Sequence, residues 1–505
     1  MAARTSPEFA DAGETECCLV NLRNYQSKML DDARNALASS NRVLCVLPTG
    51  AGKTVVFSEI VKRAAGLGKS AWIVVHRQEL LRQAAAKLSA TGVPFGLITA
   101  GMEQQPGLVQ VATIGTLARR LDRFKAPDLI ILDEAHHAVA GGWQKLLAHA
   151  NDSKVLGFTA TPERLDGKGL GSVFEAMILG PSVGQLQADG FLSPATYFGI
   201  PPRADFSGLR KTGGDFNKAD LASVTDRPTI TGDAVTHWKR HANGLPTIGF
   251  CVTVAHAEHC AAQFNEAGIA AASIDGNLDS STRKQRLDDL ASGKIKVLFS
   301  CELVSEGFDL PCVSAAILLR KTASLSLHLQ QIGRVLRPAS DKARAIILDH
   351  VGNVTAHGMA CDERQWSLDG QTEKKRNSLE KNDICDFATR QCPKCYALHK
   401  RAPKCPECQH IYEAGAREIA IVAGELVELS GANFKRCPVC QQTIHATHEQ
   451  CPACEFDFAK AARREVVQAR TLEDLMALGQ RRGYKNAYFW AQRILQARGA
   501  KAQAY

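Results

Sequence analysis

Two hydrophobic periodicities alternate along the chain. In residues 20–200, short runs that are apolar throughout (43–47, 71–75, 108–113, 129–132 and 155–159) are separated by stretches in which apolar positions recur every three or four residues. A run without alternation is a strand buried on both faces, the mark of a parallel sheet covered by helices. Helices are expected to start at Gly52 and at Gln78. Pro201-Pro202 and Gly213-Gly214 break the pattern in 201–227, which reads as a connector. It then resumes in 228–360, with strands expected at 247–252, 271–274, 296–300, 315–319 and 345–348, and helices at 255–265, 280–291 and 324–334. The expectation is an α/β protein of two tandem doubly wound parallel sheets, with a cleft at the carboxyl ends of the strands where such sheets bind ligands.

Beyond the second sheet the patterning weakens. Residues 361–384 are polar, carry Lys374-Lys375-Arg376 and read as a linker. Two short cysteine-bearing modules follow at 385–412 and 430–458, with a strand-like segment at 418–429 between them. Residues 459–505 read as two helices broken near Gly483. Residues 1–19 read as a flexible tail, because they lack the apolar stretch of a secretory signal and the arginines of a transit peptide.

Composition narrows the class. A chain of 505 residues exceeds one hydrophobic core. Its 45% hydrophobic and 22% charged content, with no apolar run near the roughly 20 residues that span a bilayer, argues against a membrane protein. The net charge of +9 permits a basic track for a polyanion without demanding one. Cysteine says more: of 17, eight fall in four C-P-x-C pairs, while others such as Cys45, Cys251 and Cys301 lie singly in apolar runs, which points to metal sites in a reducing, cytoplasmic setting.

The candidate chemistry begins directly after the first expected strand, at Pro48-Thr49-Gly50-Ala51-Gly52-Lys53-Thr54. Glycines let backbone N–H groups turn toward phosphates, Lys53 can reach the terminal phosphates of a nucleotide, and the Thr54 hydroxyl can hold Mg²⁺. Leu47 stands where the usual phosphate-loop pattern has its first glycine. After the 129–132 strand comes Asp133-Glu134-Ala135-His136-His137, in which Asp133 is placed to hold Mg²⁺ and Glu134 to orient and deprotonate an attacking water. In the second half, helical spacing puts Gln330, Arg334 and Arg337 on one face, and two guanidiniums there suit a γ-phosphate arriving from the other domain.

In this order the motifs resemble those of superfamily 2 helicases of the DEAD/DEAH type, over residues 20–355. The resemblance implies two RecA-like domains, ATP as cofactor, and further roles. Gln26 matches the adenine-reading glutamine. Segments 75–80 and 112–116 match those that touch a nucleic-acid backbone, His136 the coupling residue, and Thr159-Ala160-Thr161-Pro162 the link between the ATP site and strand movement. Gly307 and Asp309 match nucleotide-side residues, and 330–337 the arginine motif. The Asp-Glu-Ala-His-His spelling resembles DNA helicases of repair, restriction and phage genomes. An ATP-dependent DNA helicase or translocase is therefore expected. An RNA helicase and an ATP-gated recruitment protein remain alternatives.

Cys392, Cys395, Cys405 and Cys408 form one set of four thiolates; Cys437, Cys440, Cys451 and Cys454 form a second. Each set fits one tetrahedral, structural Zn²⁺. These modules resemble zinc ribbons, which bind nucleic acid or a protein partner. His399, His410, His445 and His448 are expected at the surface. Tyr488, Phe489 and Ile494 are expected to dock into a core, with nucleic-acid stacking as the alternative.

Overall fold

The computed structural model describes residues 22–102, 107–164, 167–199, 206, 208–212, 214–301, 310–369, 389–412, 434–445, 448–482, 484 and 486–502. The chain divides into two compact units, 1–412 and 413–505.

Among the described residues the first unit holds two large sheets and a small separate hairpin. Seven parallel strands, β1 (Arg42–Val46), β2 (Ala71–Val75), β3 (Gly96–Ile98), β4 (Val109–Thr113), β5 (Leu129–Asp133), β6 (Lys154–Thr159) and β7 (Ala176–Leu179), lie in the order β3-β4-β2-β5-β6-β1-β7. Their continuous apolar sequences are explained by cover on both sides. Val43, Cys45 and Leu47 pack with Met29, Phe57 and Leu81 of helices Asn24–Ser39, Lys53–Gly66 and Gln78–Ala90, while Leu44 and Val46 pack with Trp143 and Leu146 of helix Gly141–His149. Strands β3 and β7 are too short and too mixed in sequence to stand out by periodicity.

The second sheet contains β8 (Ala195–Gly199) and, after a small hairpin of β9 (Lys211–Thr212) and β10 (Asp215–Phe216), the strands β11 (Thr247–Cys251), β12 (Ala271–Ile274), β13 (Val297–Cys301), β14 (Ala315–Leu318) and β15 (Ala345–Asp349). Two antiparallel strands of the first cysteine module, β16 (Thr389–Gln391) and β17 (Ala397–Lys400), complete the order β12-β13-β11-β14-β15-β8-β17-β16. Two features differ from the sequence reading. Strand β8, grouped there with the first sheet, pairs in parallel with β15, Ala195 opposite Ala345. The module at 389–412 is part of the second sheet: Cys392, Cys395 and Cys405 share a core with Phe198 and Trp238, and Arg344 pairs with Glu407 at 2.9 Å. Strand apolarity alone does not say which sheet a strand joins.

The expected connector and linker also carry structure. Helix Lys218–Thr225 lies in the connector, and Asp215 accepts hydrogen bonds from the Ala323 N–H at 2.7 Å and the Thr322 hydroxyl at 3.0 Å. Arg364 donates to the carbonyls of His357, Met359, Ala360 and Asp362, so the start of the 361–384 segment is tied down. Residues 1–19, the rest of that segment from 370 to 384, the 418–429 segment and Gly483 lie outside the described residues.

In the second unit, β18 (Phe434–Arg436) pairs with β19 (Thr443–His445). Three helices follow, Phe458–Gln468, Leu472–Arg481 and Ala487–Ala502, where the sequence suggested two. The extra break falls at Thr471, whose hydroxyl accepts from the Asp474 N–H while the Asp474 carboxylate accepts from the Thr471 N–H. The expected docking of aromatics is corrected here: Tyr488 is 43% and Phe489 61% exposed, and Ala487 and Ala491 face inward instead. Among the described residues no helix is long and apolar enough to cross a membrane.

Candidate active site between the two parallel-sheet domains

The phosphate-loop candidate follows β1. Gly50 and Gly52 adopt φ of +88° and +83°, a region that side-chain-bearing residues rarely enter. From beneath, the Tyr25 hydroxyl and the Gln26 amide both donate to the Ala51 carbonyl, at 2.8 and 3.2 Å, and the Gln26 carbonyl oxygen accepts from the Arg23 N–H at 3.0 Å. Gln26 thus braces the loop. Lys53 opens helix Lys53–Gly66, whose N-terminal dipole favours anions, with Thr54 next to it, and the Lys53 ammonium lies 3.5 Å from the Leu47 carbonyl. Leu47, the departure from the usual pattern, is fully buried in the first sheet's core, where a glycine would leave space unfilled. Pro48 and Thr49 carry the chain from that core to the loop.

Asp133 ends β5 and Glu134 follows in a left-handed conformation, φ +50°, a strained state for a residue with a side chain. Both are buried, and the Glu134 N–H donates to the Asp133 carboxylate at 3.0 Å. Burial first, and the Glu134 charge second, push the Asp133 carboxyl up to about 6, while Lys53 and the Glu134 N–H oppose them. Two adjacent buried carboxylates facing a lysine are a donor set that suits a divalent cation. His136, also buried, lies 3.5 Å from the Glu134 carboxylate and 3.3 Å from the Thr159 hydroxyl. The Thr159 hydroxyl donates to the Thr161 carbonyl at 2.8 Å, and the Thr161 hydroxyl lies 2.6 Å from that of Ser326 in the second domain. A chain of polar contacts therefore runs from Glu134 across the cleft.

Its far end is helix Leu325–Val335, capped by Ser324, in which Gln330 and Arg334 are buried. Gly333 packs directly against the phosphate loop, because a Cβ there would collide with the Thr49 side chain. One expectation is corrected. The helix stops at Val335 with Leu336 as its cap, so Arg337 does not share a helical face with Gln330 and Arg334. Its stem nonetheless lies beside the loop: a Cβ built on Gly50 would stand 3.4 Å from Arg337 Cγ. The turn that carries Arg337 is fastened by groups the sequence did not advertise. The Lys342 ammonium donates to the carbonyls of Val313, Val335 and Arg337 at 2.6, 2.6 and 2.9 Å, and the Ser193 N–H donates to the Leu336 carbonyl at 2.7 Å. A second link across the cleft is the Arg283–Glu79 ion pair at 3.0 Å. Gly307 and Asp309 lie outside the described residues.

Both cysteine sets converge. Sulfur–sulfur distances are 3.6 Å for Cys392–Cys408 and Cys395–Cys405, 3.5 Å for Cys437–Cys454 and 3.6 Å for Cys440–Cys451. These approach the edge of about 3.8 Å expected for a tetrahedron with Zn–S near 2.3 Å. All four knuckles share one device. The residue after the second cysteine (Tyr396, Gln409, Gln441 or Glu455) has positive φ, and its N–H donates to the carbonyl of the first cysteine. The structure corrects His399, which is buried with Nε2 2.7 Å from the Tyr412 hydroxyl, while His410 is half-buried and His448 exposed.

Residues 19–164 match the family model described as type III restriction enzyme, res subunit, and 232–339 match the helicase conserved C-terminal domain. A 51.5 kDa protein of Lactococcus phage (isolate 7-9) is 36% identical over 366 residues, covering 72% of this chain and 76% of that one. The Saccharomyces cerevisiae protein IRC3, named as an ATP-dependent helicase, is 31% identical over 66% of this chain, which spans only 51% of the yeast protein. Among solved structures, a fragment of an HsdR subunit of a type I restriction enzyme from Vibrio vulnificus YJ016 superposes with TM-score 0.54 at 21% identity, covering 66% of this chain and 65% of that one. With this fold, this order of motifs and these relatives, the chain belongs to the superfamily 2 helicases of the DEAD/DEAH type, in the branch that includes phage and restriction proteins, and carries cysteine clusters that fit zinc ribbons.

Proposed function

We propose that the protein is an ATP-dependent DNA helicase or translocase, in which hydrolysis between the two parallel-sheet domains drives movement on nucleic acid. The observation that carries this reading is the meeting of Thr49 and Gly50 with Gly333 and Arg337, which puts phosphate loop and arginine segment in one cleft. Lys53 and the loop N–H groups hold the β- and γ-phosphates; Thr54 and Asp133 hold Mg²⁺, which neutralises phosphate charge when bound. Glu134 takes the proton of the attacking water as its oxygen bonds to the γ-phosphorus and the bond to ADP breaks. Arg334 and Arg337 stabilise the charge that develops, with Gln330 beside them, and Gly307 and Asp309 complete the nucleotide side. The polar chain from Glu134 through His136, Thr159 and Thr161 to Ser326 couples the state of the ATP site to the second domain.

DNA is favoured over RNA by the restriction-subunit family match. Each cysteine set holds one structural Zn²⁺, and the exposed Tyr488 and Phe489 beside Arg493 offer stacking and charge to a strand. The test is phosphate release measured in parallel with single-stranded DNA, duplex, fork and RNA. Stimulation by DNA well above that by RNA supports the proposal. Equal stimulation makes the protein an RNA-competent helicase, and no turnover with any of them leaves an ATP-gated binding protein.

A further inference from the structure

Outside the cleft and the two ribbons, the second domain holds a third cluster of soft donors. Cys251 ends β11, Thr253 caps the helix Val254–Glu266 by accepting the His256 N–H at 3.1 Å, and Cys260 lies one turn beyond His256 on the same face. Their three donor atoms lie within 4.8 Å of one another. All three residues are enclosed, at 1%, 0% and 1% exposure, and the two cysteines share a core with Ala257, Ala261, Phe264 and Phe299.

Two observations separate this cluster from a chance gathering of small core residues. The first concerns His256, whose protein contacts are few: the Cys260 thiol of the same cluster and one backbone group. Nδ1 lies 3.5 Å from the Val252 N–H, a weak contact, and Nε2 is buried without a hydrogen-bond partner. An imidazole so placed in an apolar core is costly unless something satisfies it. The second is the Cys251–Cys260 sulfur separation of 4.0 Å, longer than the 3.5 to 3.6 Å within the two ribbons. For metal–sulfur bonds of about 2.3 Å, a tetrahedral edge is about 3.8 Å and a trigonal-planar edge about 4.0 Å.

We propose that Cys251, His256 and Cys260 form a third metal site, a three-coordinate centre for a thiophilic ion such as zinc(II) or copper(I). Thiolate and imidazole are the donors these ions select. Two thiolates and a neutral imidazole around zinc(II) sum to zero charge, which lowers the cost of enclosing the centre among apolar side chains. The position would fix the end of β11 to the first two turns of the following helix, within the domain that carries Arg334 and Arg337. Binding releases the two thiol protons to solvent as the metal–sulfur bonds form.

Metal analysis of the full chain, purified without chelator under reducing conditions, tests it. Three ions of zinc plus copper per chain are expected in the parent protein, and two in the Cys251→Ser/Cys260→Ser variant. Cobalt(II) reconstitution gives a second reading, because the variant lacks two of ten ligating thiolates and should lose about one fifth of the thiolate-to-cobalt absorbance. Two ions in the parent and the same two in the variant overturn the proposal. So does an unchanged metal content in a variant with a parental circular dichroism spectrum, which would leave the cluster as thiols and a histidine packed without metal.

Discussion

Lys342 offers the sharpest test of how the second domain presents its arginine. Its ammonium has three protons and three carbonyl acceptors, on Val313, Val335 and Arg337, so it ties the helix end and the Arg337 turn to the strand-side loop. Charge-assisted hydrogen bonds of this kind contribute about 1.5 kcal/mol each at the low end, or roughly 4 to 5 kcal/mol for three. Burial opposes them: desolvation pulls the Lys342 ammonium from 10.5 down to about 8. That shift is worth about 3 kcal/mol at most, and less where the side chain keeps part of its hydration. Lys342→Met keeps the stem and removes the charge, and should destabilise the domain by about 1 to 2 kcal/mol, lowering its Tm by roughly 3 to 6 °C. The larger effect should be kinetic. A displacement of order 1 Å at a reacting centre can cost about 100-fold, so maximal ATP turnover should fall 10- to 100-fold while KM for ATP moves little. Phosphate release at saturating ATP and DNA measures this, and Lys342→Met should add little to the loss in Arg337→Ala, because both act through one side chain. Parental turnover in a folded Lys342→Met protein, or full additivity with Arg337→Ala, would refute the reasoning.

Other expectations are equally direct. Lys53→Ala should weaken nucleotide binding, whereas Glu134→Gln should retain it and stop turnover; equal turnover in Glu134→Gln and the parent would remove Glu134 as the base. Thr161→Val should lower DNA-stimulated hydrolysis more than basal hydrolysis, since it cuts the contact to Ser326 but touches no phosphate ligand; uniform loss of both rates would count against coupling through that contact. Burial lowers the pKa of His328 and His357 and brings His350 down to about 3. Below pH 6.5 the unfolded chain therefore binds more protons than the folded one, and each pH unit of descent costs up to about 1.4 kcal/mol per group. Urea unfolding of the second domain should show a lower midpoint at pH 5 than at pH 7.5, and identical midpoints would contradict neutral burial.

What the sequence revealed, and what it concealed, follows from the range of the forces involved. Strands such as Leu129–Asp133 and the loop at Gly50 and Gly52 are legible because burial on both faces and positive φ leave local marks. Helical spacing carried on to Arg337 runs two residues past the helix end, which is fixed by Lys342 and Ser193, residues distant or unremarkable in sequence. The pairing of β8 with β15 is likewise a tertiary choice between two sheets. Leu47 looked like a defect in a motif, yet it is a core residue. Tyr488 and Phe489 carried an ambiguous message, because aromatic residues at helical spacing suit a core and a stacking surface alike.

The first cysteine module has a consequence for how the second domain survives in solution. Strand β8 would otherwise be a sheet edge with unpaired N–H and C=O groups, the kind of edge that recruits a foreign strand. Its neighbour β17 closes that edge, with Ala397 opposite Phe198 and Leu398 opposite Tyr197, and Leu398 packs over Gly199 in a space that no larger residue could share. If zinc holds the module, the ion acts as a lock against self-association, and its loss would be felt first as aggregation and only then as lost chemistry. A minimal motor must accordingly be cut after Tyr412, since any shorter piece trades a disposable appendage for a sticky border.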